Sequence, residues 1–484
     1  FLNDAAPFVL EKCKDAYAYD VDGNKYIDTI SSLGAVILGH ANNEVNTFVK
    51  KQIDKGSSYS VPSKLEHQLA EILCSNIPSA EMVKFGKNGN DVTSAAVRLA
   101  RHYTKKNHIL YCGYHGWQDW YVCNTSMNSG VPVDVKKYSH SFRYNDVNSL
   151  EVLFKKYKNK VACVILEPIS KVKPICQTSK LCTFCKKEKR KKCSGFLKRV
   201  KELAKKNNAL LIFDEIVTGF RFGTGGYQKI CKITPDLSCF SKAMANGFPI
   251  AALVGKKKIM SQFDGIYYSL TFAGETMSLA ASIKTIQLLK KYKVCEYIQK
   301  QGTITRNLLE NKINDLSLED FIKIMGHPGK LIFAFYDYKN ISGAVIRLYW
   351  IKRLAELGVL TNGTQILNYS QGYLNPVIFV PFIEYKITCK DETKCKMQKT
   401  KKTQNTVDAL VLHNKMPYIW RFLKPQTRKL MIELANKPLK KINIPFHVFP
   451  DLNKENRMSA RKMGKNMTQK NRKLFNKLRK KYKN

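Results

Sequence analysis

The sequence predicts an α/β fold: a mainly parallel sheet with helices on both faces, a smaller α+β domain, and a basic C-terminal extension. Three observations carry this. Short, continuously apolar runs recur through the first 280 residues. Helical patterns separate them. After that the texture changes, and beyond Tyr373 it loosens into Pro, Asn and lysine runs.

The apolar runs come in order. "MVKF" (82–85) precedes the helix-like "DVTSAAVRLARHYTKK" (91–106). "ILYC" (109–112), "VACVIL" (161–166), "ALLIF" (209–213), "LSCF" (237–240) and "IAALV" (250–254) follow, with helical stretches such as "SGFLKRVKELAKKNN" (194–208) between them. A strand buried on both faces reads as continuous apolar residues, so this alternation is that of a covered, mainly parallel sheet. Ligands of such sheets sit at the carboxyl ends of the strands. The second half opens with a largely helical stretch, and "KLIFAFYDY" and "GVLTNGTQILNYS" read as strands and turns. "PVIFVPFIEYKI" is a further strand candidate. The predicted organisation is an N-terminal segment that belongs to the small domain (1–60), a large ligand-binding domain (61–285) with a cysteine-rich insert (172–194), a small C-terminal domain (286–372) and the extension (373–484). No internal repeat is present.

Composition bounds the function. The 484 residues leave room for two or three domains. No apolar run is long enough to span a membrane. The chain begins with Phe and shows no leader, so it is expected to be cytoplasmic and to lack its natural first residues. Fourteen cysteines scattered over this length argue against a secreted disulfide scaffold. The 82 basic residues outnumber 38 acids, a net +44, of which the 112 residues from Tyr373 onward carry +21 (28 basic, 7 acidic). Such a tail is compatible with a polyanion partner. It is equally compatible with a lysine-rich composition that serves no partner.

Four features fall just after predicted strands. Asp214 ends "ALLIF", where a carboxylate must be solvated, paired or functional. Lys242 stands alone among small and apolar residues in "SKAMANGFPIA" (241–251), whereas most lysines here sit in charged runs. Burial lowers a lysine pKa and frees a neutral amine; an ordinary ion pair is the plain alternative. Asn88, Gly89, Asn90 and Asp91 form a glycine-containing turn that opens a helix, either a phosphate site or an ordinary cap. "GYHGWQDW" (113–120) offers aromatic rings for a planar ligand, or for core packing. Phosphate turn, aromatic plate, carboxylate and apolar lysine together suit one cofactor, pyridoxal phosphate.

With these residues in place, the sequence resembles the class III pyridoxal-phosphate aminotransferases, nearest their glutamate-1-semialdehyde aminomutase branch. The resemblance runs from "AYDVDGNKYIDTISSLGAVILGH" (18–40) through "FGKNGNDVTSAAVRLARHYT", "YHGWQDW", "ILEPI", "LLIFDEIVTGFR", "TPDLSCFSKAMANGFPIAALVG" and "TFAGETMSLAA" to "GVLTNGTQILNYS" (358–370). It implies a fold-type I homodimer with a shared active site. It implies that Lys242 is the Schiff-base lysine, Asp214 the partner of the pyridine nitrogen and Tyr114 the stacking ring. Gly89 and Asn90 fall on the phosphate turn, and Thr271 matches a threonine that reaches the neighbouring subunit's phosphate. His115 and Glu167 fall close to the cofactor. The implied activity is transfer of an amino group between an amino substrate and a carbonyl acceptor. The alternatives are a glutamate-1-semialdehyde-type 2,1-aminomutase, or an impaired relative whose basic tail binds a polyanion. Relatives usually carry Ser or Thr where Asn90 stands, and aminomutases carry a substrate-carboxylate arginine in an N-terminal segment this chain lacks. The closing helices of the family's small domain are replaced by the basic extension.

One motif lies outside the resemblance. Cys176, Cys182, Cys185 and Cys193 are spaced C-x5-C-x2-C-x7-C in the insert. Four thiolates suit zinc or an iron–sulfur cluster, although the spacing is not that of a usual zinc finger. A loop of reduced cysteines is the alternative.

Overall fold

The computed structural model describes residues 9–175, 195–338, 341–362, 364–365, 387–389 and 395–397. The four cysteines of the insert, most of the basic extension and the segment "PVIFVPFIEY" lie outside the described residues. The chain divides into two compact units, Phe1–Tyr336 with Trp350–Phe382, and Asp337–Tyr349 with Ile383–Asn484.

The first unit opens with three antiparallel strands, β1 (Leu10–Lys14), β2 (Tyr17–Asp20) and β3 (Lys25–Asp28). Its main sheet has seven strands: β4 (Met82–Gly86), β5 (His108–Cys112), β6 (Ser139–Ser141), β7 (Val161–Leu166), β8 (Leu210–Asp214), β9 (Leu237–Phe240) and β10 (Ala251–Gly255). Their spatial order is β4-β10-β9-β8-β7-β5-β6. Five neighbours, β9 through β6, pair in parallel; β10 runs antiparallel to both β9 and β4. The apolar run "IAALV" is thus a strand of reversed direction, which burial on two faces does not distinguish from a parallel one. β6 was not expected from the sequence, because "SHS" is short, polar and at the sheet edge.

Side chains alternate across the sheet with the period of two that a strand imposes. From β8, Leu210 and Ile212 enter one core with Val92, Ala96 and Leu99 of the Gly89–Thr104 helix. Leu211 and Phe213 enter the opposite core with Leu150, Phe154, Leu197 and Val200. The last four lie on the Val147–Lys156 and Phe196–Lys206 helices. The alanines of the Gly89–Thr104 helix let its backbone lie close to the sheet. Because β4, β5, β7, β8 and β9 all point the same way, their carboxyl ends share one edge.

Beyond the main sheet come the helices Thr276–Lys291 and Val294–Asp315, then β11 (Ile322–His327) and β12 (Lys330–Phe335), an antiparallel hairpin. β13 (Val359–Leu360) pairs in parallel with β3, so one sheet joins the start of the chain to residues more than 300 positions later. β14 (Thr364–Gln365) pairs with β12. Trp350 is buried against Phe333 and Phe335, with ring centroids 4.5 and 5.3 Å away. In the second unit, Gly343 N donates to the Asp337 carboxylate (2.8 Å), and β15 (Ile387–Cys389) pairs with β16 (Cys395–Met397) as a hairpin.

The two-faced core makes a graded prediction. Ile212→Ala, at a fully buried position, costs about 2–5 kcal/mol in urea unfolding. Val152→Ala, on the exposed face of its helix, stays within about 0.5 kcal/mol. Equal effects of the two would contradict the packing described.

Candidate functional site

Asp214 closes β8 and is buried. Its Oδ2 lies 2.8 Å from His115 Nδ1, and its Oδ1 accepts from Ile216 N (3.1 Å). His115, also buried, has its Nε2 3.2 Å from the carbonyl oxygen of Cys112. A carbonyl can only accept, so that contact places a proton on Nε2. The Nδ1–Oδ2 contact then requires a further proton on one of the two atoms. The His115 loop bends sharply to reach this place. Gly113 and Gly116 have φ of +109° and +112°, and a Cβ would meet Glu167 Oε2 at 2.8 Å on the first and Asn90 Cβ at 2.7 Å on the second. The loop is tied down by Thr93 Oγ1, which donates to His115 O (3.0 Å).

Tyr114 sits between those glycines with its side chain 66% exposed, its ring edge-on to Tyr121 at 5.6 Å. One face of a flat ring is therefore open at the strand edge. Glu167 follows β7, and its Oε2 accepts weakly from Tyr114 N (3.5 Å). Burial and the nearby Asp214 push its carboxyl up, while Lys330 and His115 pull it down; the net shift is upward.

The Gly89–Thr104 helix begins at the end of β4. The Asp91 carboxylate accepts from Lys87 N (3.2 Å) and Asn88 N (2.7 Å). The amides of Gly89 and Asn90 have no acceptor among the described residues, as expected of a helix's first turn. Gly89 is packed so closely that a Cβ would meet Ile216 Cδ1 at 2.5 Å. The turn is braced from behind by Lys87, whose Nζ lies 2.8 Å from the Glu275 carboxylate. Glu275 in turn caps the Thr276–Lys291 helix through Met277 N (2.6 Å).

Lys242 follows β9 by two residues, in a left-handed conformation (φ +48°), which costs a non-glycine residue about 1–2 kcal/mol. The turn is held by its neighbours. Ser241 Oγ donates to Ile250 O (2.8 Å), Ala243, Met244 and Ala245 are fully buried, and the Asn246 side chain bonds Leu38 N (2.7 Å) and Gly39 O (3.1 Å). Burial lowers the Lys242 pKa, Lys330 and Arg221 lower it further, and Asp214 and Glu167 oppose them; the net shift is downward.

The strand edge thus gathers Asp214, His115, Tyr114, Glu167, Gly89, Asn90 and Lys242. Thr271 lies in an exposed turn before the Thr276–Lys291 helix and makes no hydrogen bond to these residues among those described. Three residues here were not singled out from the sequence. Glu215 is fully buried and accepts from Thr218 Oγ1, Tyr227 N (2.8 Å) and Gln228 N (2.9 Å), so it ties the stretch after β8 together. Arg221, also fully buried, donates to Gly34 O and Gly329 O, both at 3.2 Å. Lys330 is the third. "DE" and "FR" hinted at the first two; no local signal marks Lys330. Eight described cysteines are free, and burial pushes the Cys112 thiol up to about 12, which leaves it inert.

The residues present fit pyridoxal phosphate: two unpartnered helix amides for a phosphate, an exposed flat ring, a buried carboxylate with lone pairs to spare, and a lysine with a lowered pKa. The family described as aminotransferase class-III matches residues 2–368. A glutamate-1-semialdehyde 2,1-aminomutase of Wigglesworthia glossinidia brevipalpis is 33% identical over 73% of this chain and 83% of its own. A 3-aminobutyryl-CoA aminotransferase of Cloacimonas acidaminovorans is 37% identical over 62% and 70%. Among solved structures, a transaminase with PLP bound superposes with a TM-score of 0.67 at 22% identity, over 78% of this chain and 89% of its own, a likeness of fold. The chain belongs to the class-III aminotransferases, a family of pyridoxal-phosphate-dependent enzymes, with the fold-type I architecture.

The lowered Lys242 pKa is testable on the protein without cofactor. Its amine should acylate with a pH midpoint below the ordinary lysine value of 10.5, read peptide by peptide by mass spectrometry. A Lys242 midpoint at or above that value would contradict the environment described.

Proposed function

We propose that this chain is a transaminase in which Lys242 holds pyridoxal phosphate covalently and serves as the proton-transferring base. The observation that carries the reading is the convergence of Lys242 and the Asp214–His115 pair at neighbouring strand ends, with the open amides of Gly89 and Asn90 on the same edge. Bound there, the cofactor supplies an electron sink for the carbon that carries the amino group. The amides of Gly89 and Asn90, at the positive end of a sixteen-residue helix, would hold the phosphate. The Asn90 side chain adds an amide donor where relatives place a hydroxyl. Tyr114 would cover one face of the ring. The Asp214 carboxylate, kept in place by His115 and Ile216 N, would bond the ring nitrogen.

Lys242 has two tasks, and its lowered pKa serves the second. As a neutral amine it would accept the proton from the substrate's amino-bearing carbon and give it back on the other side of the nitrogen. The fixed left-handed turn limits where its amine can swing. The names of several relatives support a second reading, a 2,1-aminomutase of the glutamate-1-semialdehyde type, which uses the same residues and returns the nitrogen within one molecule. A ¹⁵N-labelled donor distinguishes them by whether the label moves to a second compound.

A homodimer completed at this edge is part of the proposal. Tyr114, Trp117, Tyr267 and Phe272 are all more than half exposed, large rings that a second copy would cover. Thr271 would then act across the interface. No described helix is long and apolar enough to cross a membrane, and we assign the enzyme to the cytoplasm on its free cysteines. Polyanion binding by the tail and a metal in the cysteine insert rest on composition and spacing alone.

Lys242→Ala should remove the visible band of the lysine-bound cofactor and lower turnover by at least about 10²–10⁴-fold. Asp214→Asn should keep bound cofactor while losing rate, because a neutral amide cannot hold the ring nitrogen protonated. Persistence of a borohydride-reducible cofactor band in Lys242→Ala, or near-normal rates in Asp214→Asn, would overturn these assignments.

A further inference from the structure

The tip of the β11–β12 hairpin is pinned against the segments that follow β7 and β8. Arg221 donates to Gly329 O (3.2 Å), and Gly326 N donates to Lys171 O (2.8 Å). The His327 ring lies against Phe222 with centroids 3.9 Å apart. Gly329 backs onto the same ring, where a Cβ would come within 3.1 Å of it, and Pro328 packs so tightly on Gly302 that a Cβ there would meet its carbonyl carbon at 2.6 Å. The backbone that leads into Lys330 is therefore fixed.

Lys330 opens β12 and is half-buried. Four charged groups act on its ammonium: Glu167, Arg221, Lys171 and Lys242. Among the described residues no carboxylate lies within ion-pair distance of it, and the transamination chemistry above makes no use of it. The local charges do not balance. Even with the Lys242 amine neutral or engaged by the cofactor, Lys330, Arg221 and Lys171 meet two acids here among the described residues, Asp214 and Glu167, and Asp214 is already bonded to His115. A cleft edge with excess positive charge and restricted solvent attracts anions and repels cations. A rooted ammonium forms short charge-assisted hydrogen bonds to a carboxylate.

We infer that Lys330 binds a carboxylate of the substrate and so selects acidic amino donors or acceptors over neutral amines. The inference rests on the transaminase reading and deepens it. The phosphate has its own donors in the amides of Gly89 and Asn90, so Lys330 is free for a second anion. Burial and its cationic neighbours lower the Lys330 pKa and Glu167 raises it. A bound carboxylate would add to the second effect and keep the ammonium charged.

The test uses the full chain loaded with pyridoxal phosphate and titrated calorimetrically with succinate, a dicarboxylate that carries no amine, and with its neutral diamide. Lys330→Met should weaken succinate by about tenfold or more, the range of a hydrogen bond to a charged group. Lys330→Arg should retain most of the affinity, the diamide should be indifferent to both changes, and the visible cofactor band should persist in both variants. If the wild-type chain forms no such band, the transaminase reading falls and this inference with it. If the band forms but the wild-type chain does not bind succinate, or Lys330→Met binds it equally well, the inference alone is overturned. Loss of the band in Lys330→Met would assign the residue to the cofactor instead, and would also overturn it.

Discussion

A carboxylate buried at the tip of a central strand is the constraint from which the rest of this site follows. An unpartnered charge there costs several kcal/mol, about the size of a domain's whole net stability. Asp214 therefore needs donors, and the chain supplies His115 from the loop after β5. That loop reaches Asp214 only because Gly113 and Gly116 take conformations that other residues rarely adopt. Thr93 fastens it to the helix whose first turn presents Gly89 and Asn90. One buried charge thus fixes the relative places of a histidine loop, an aromatic ring and an anion-binding turn.

The second organising group is Arg221. It is fully buried, and desolvation pulls its guanidinium down to about 10. Its two carbonyl partners come from opposite ends of the sequence, Gly34 and Gly329. Asn246 makes a parallel connection from the lysine turn to Leu38 and Gly39. The N-terminal segment, the lysine turn and the β11–β12 hairpin are consequently linked by hydrogen bonds to otherwise unmet backbone groups. The left-handed turn at Lys242 persists because these neighbours over-determine it.

The legible part of the fold was the part with the simplest physics. Six of the seven strands of the main sheet stand out as continuous apolar runs, and the strand-end rule leads directly to Asp214 and Lys242. Strand direction was not legible for β10, and β6 was missed because an edge strand needs no apolar run. β11 was missed as well, since "IKIMGH" buries only one end of its length. Glu215 and Arg221 stand inside a quoted motif, but apart from Thr218 their partners are twelve to 187 residues away. Lys330 was not legible at all. In a chain with 82 basic residues a lysine is an uninformative letter, and only the docking of a distant hairpin places this one beside the reactive edge. The Cys176–Cys193 insert and most of the basic extension lie outside the described residues.

Of the two lysines with lowered pKa at this edge, Lys242 should be the one that carries the cofactor. Reduction of the cofactor-loaded protein with borohydride, followed by peptide mapping, tests this directly. A single pyridoxyl adduct on Lys242 is expected. An adduct on Lys330, or none on either residue, would contradict it.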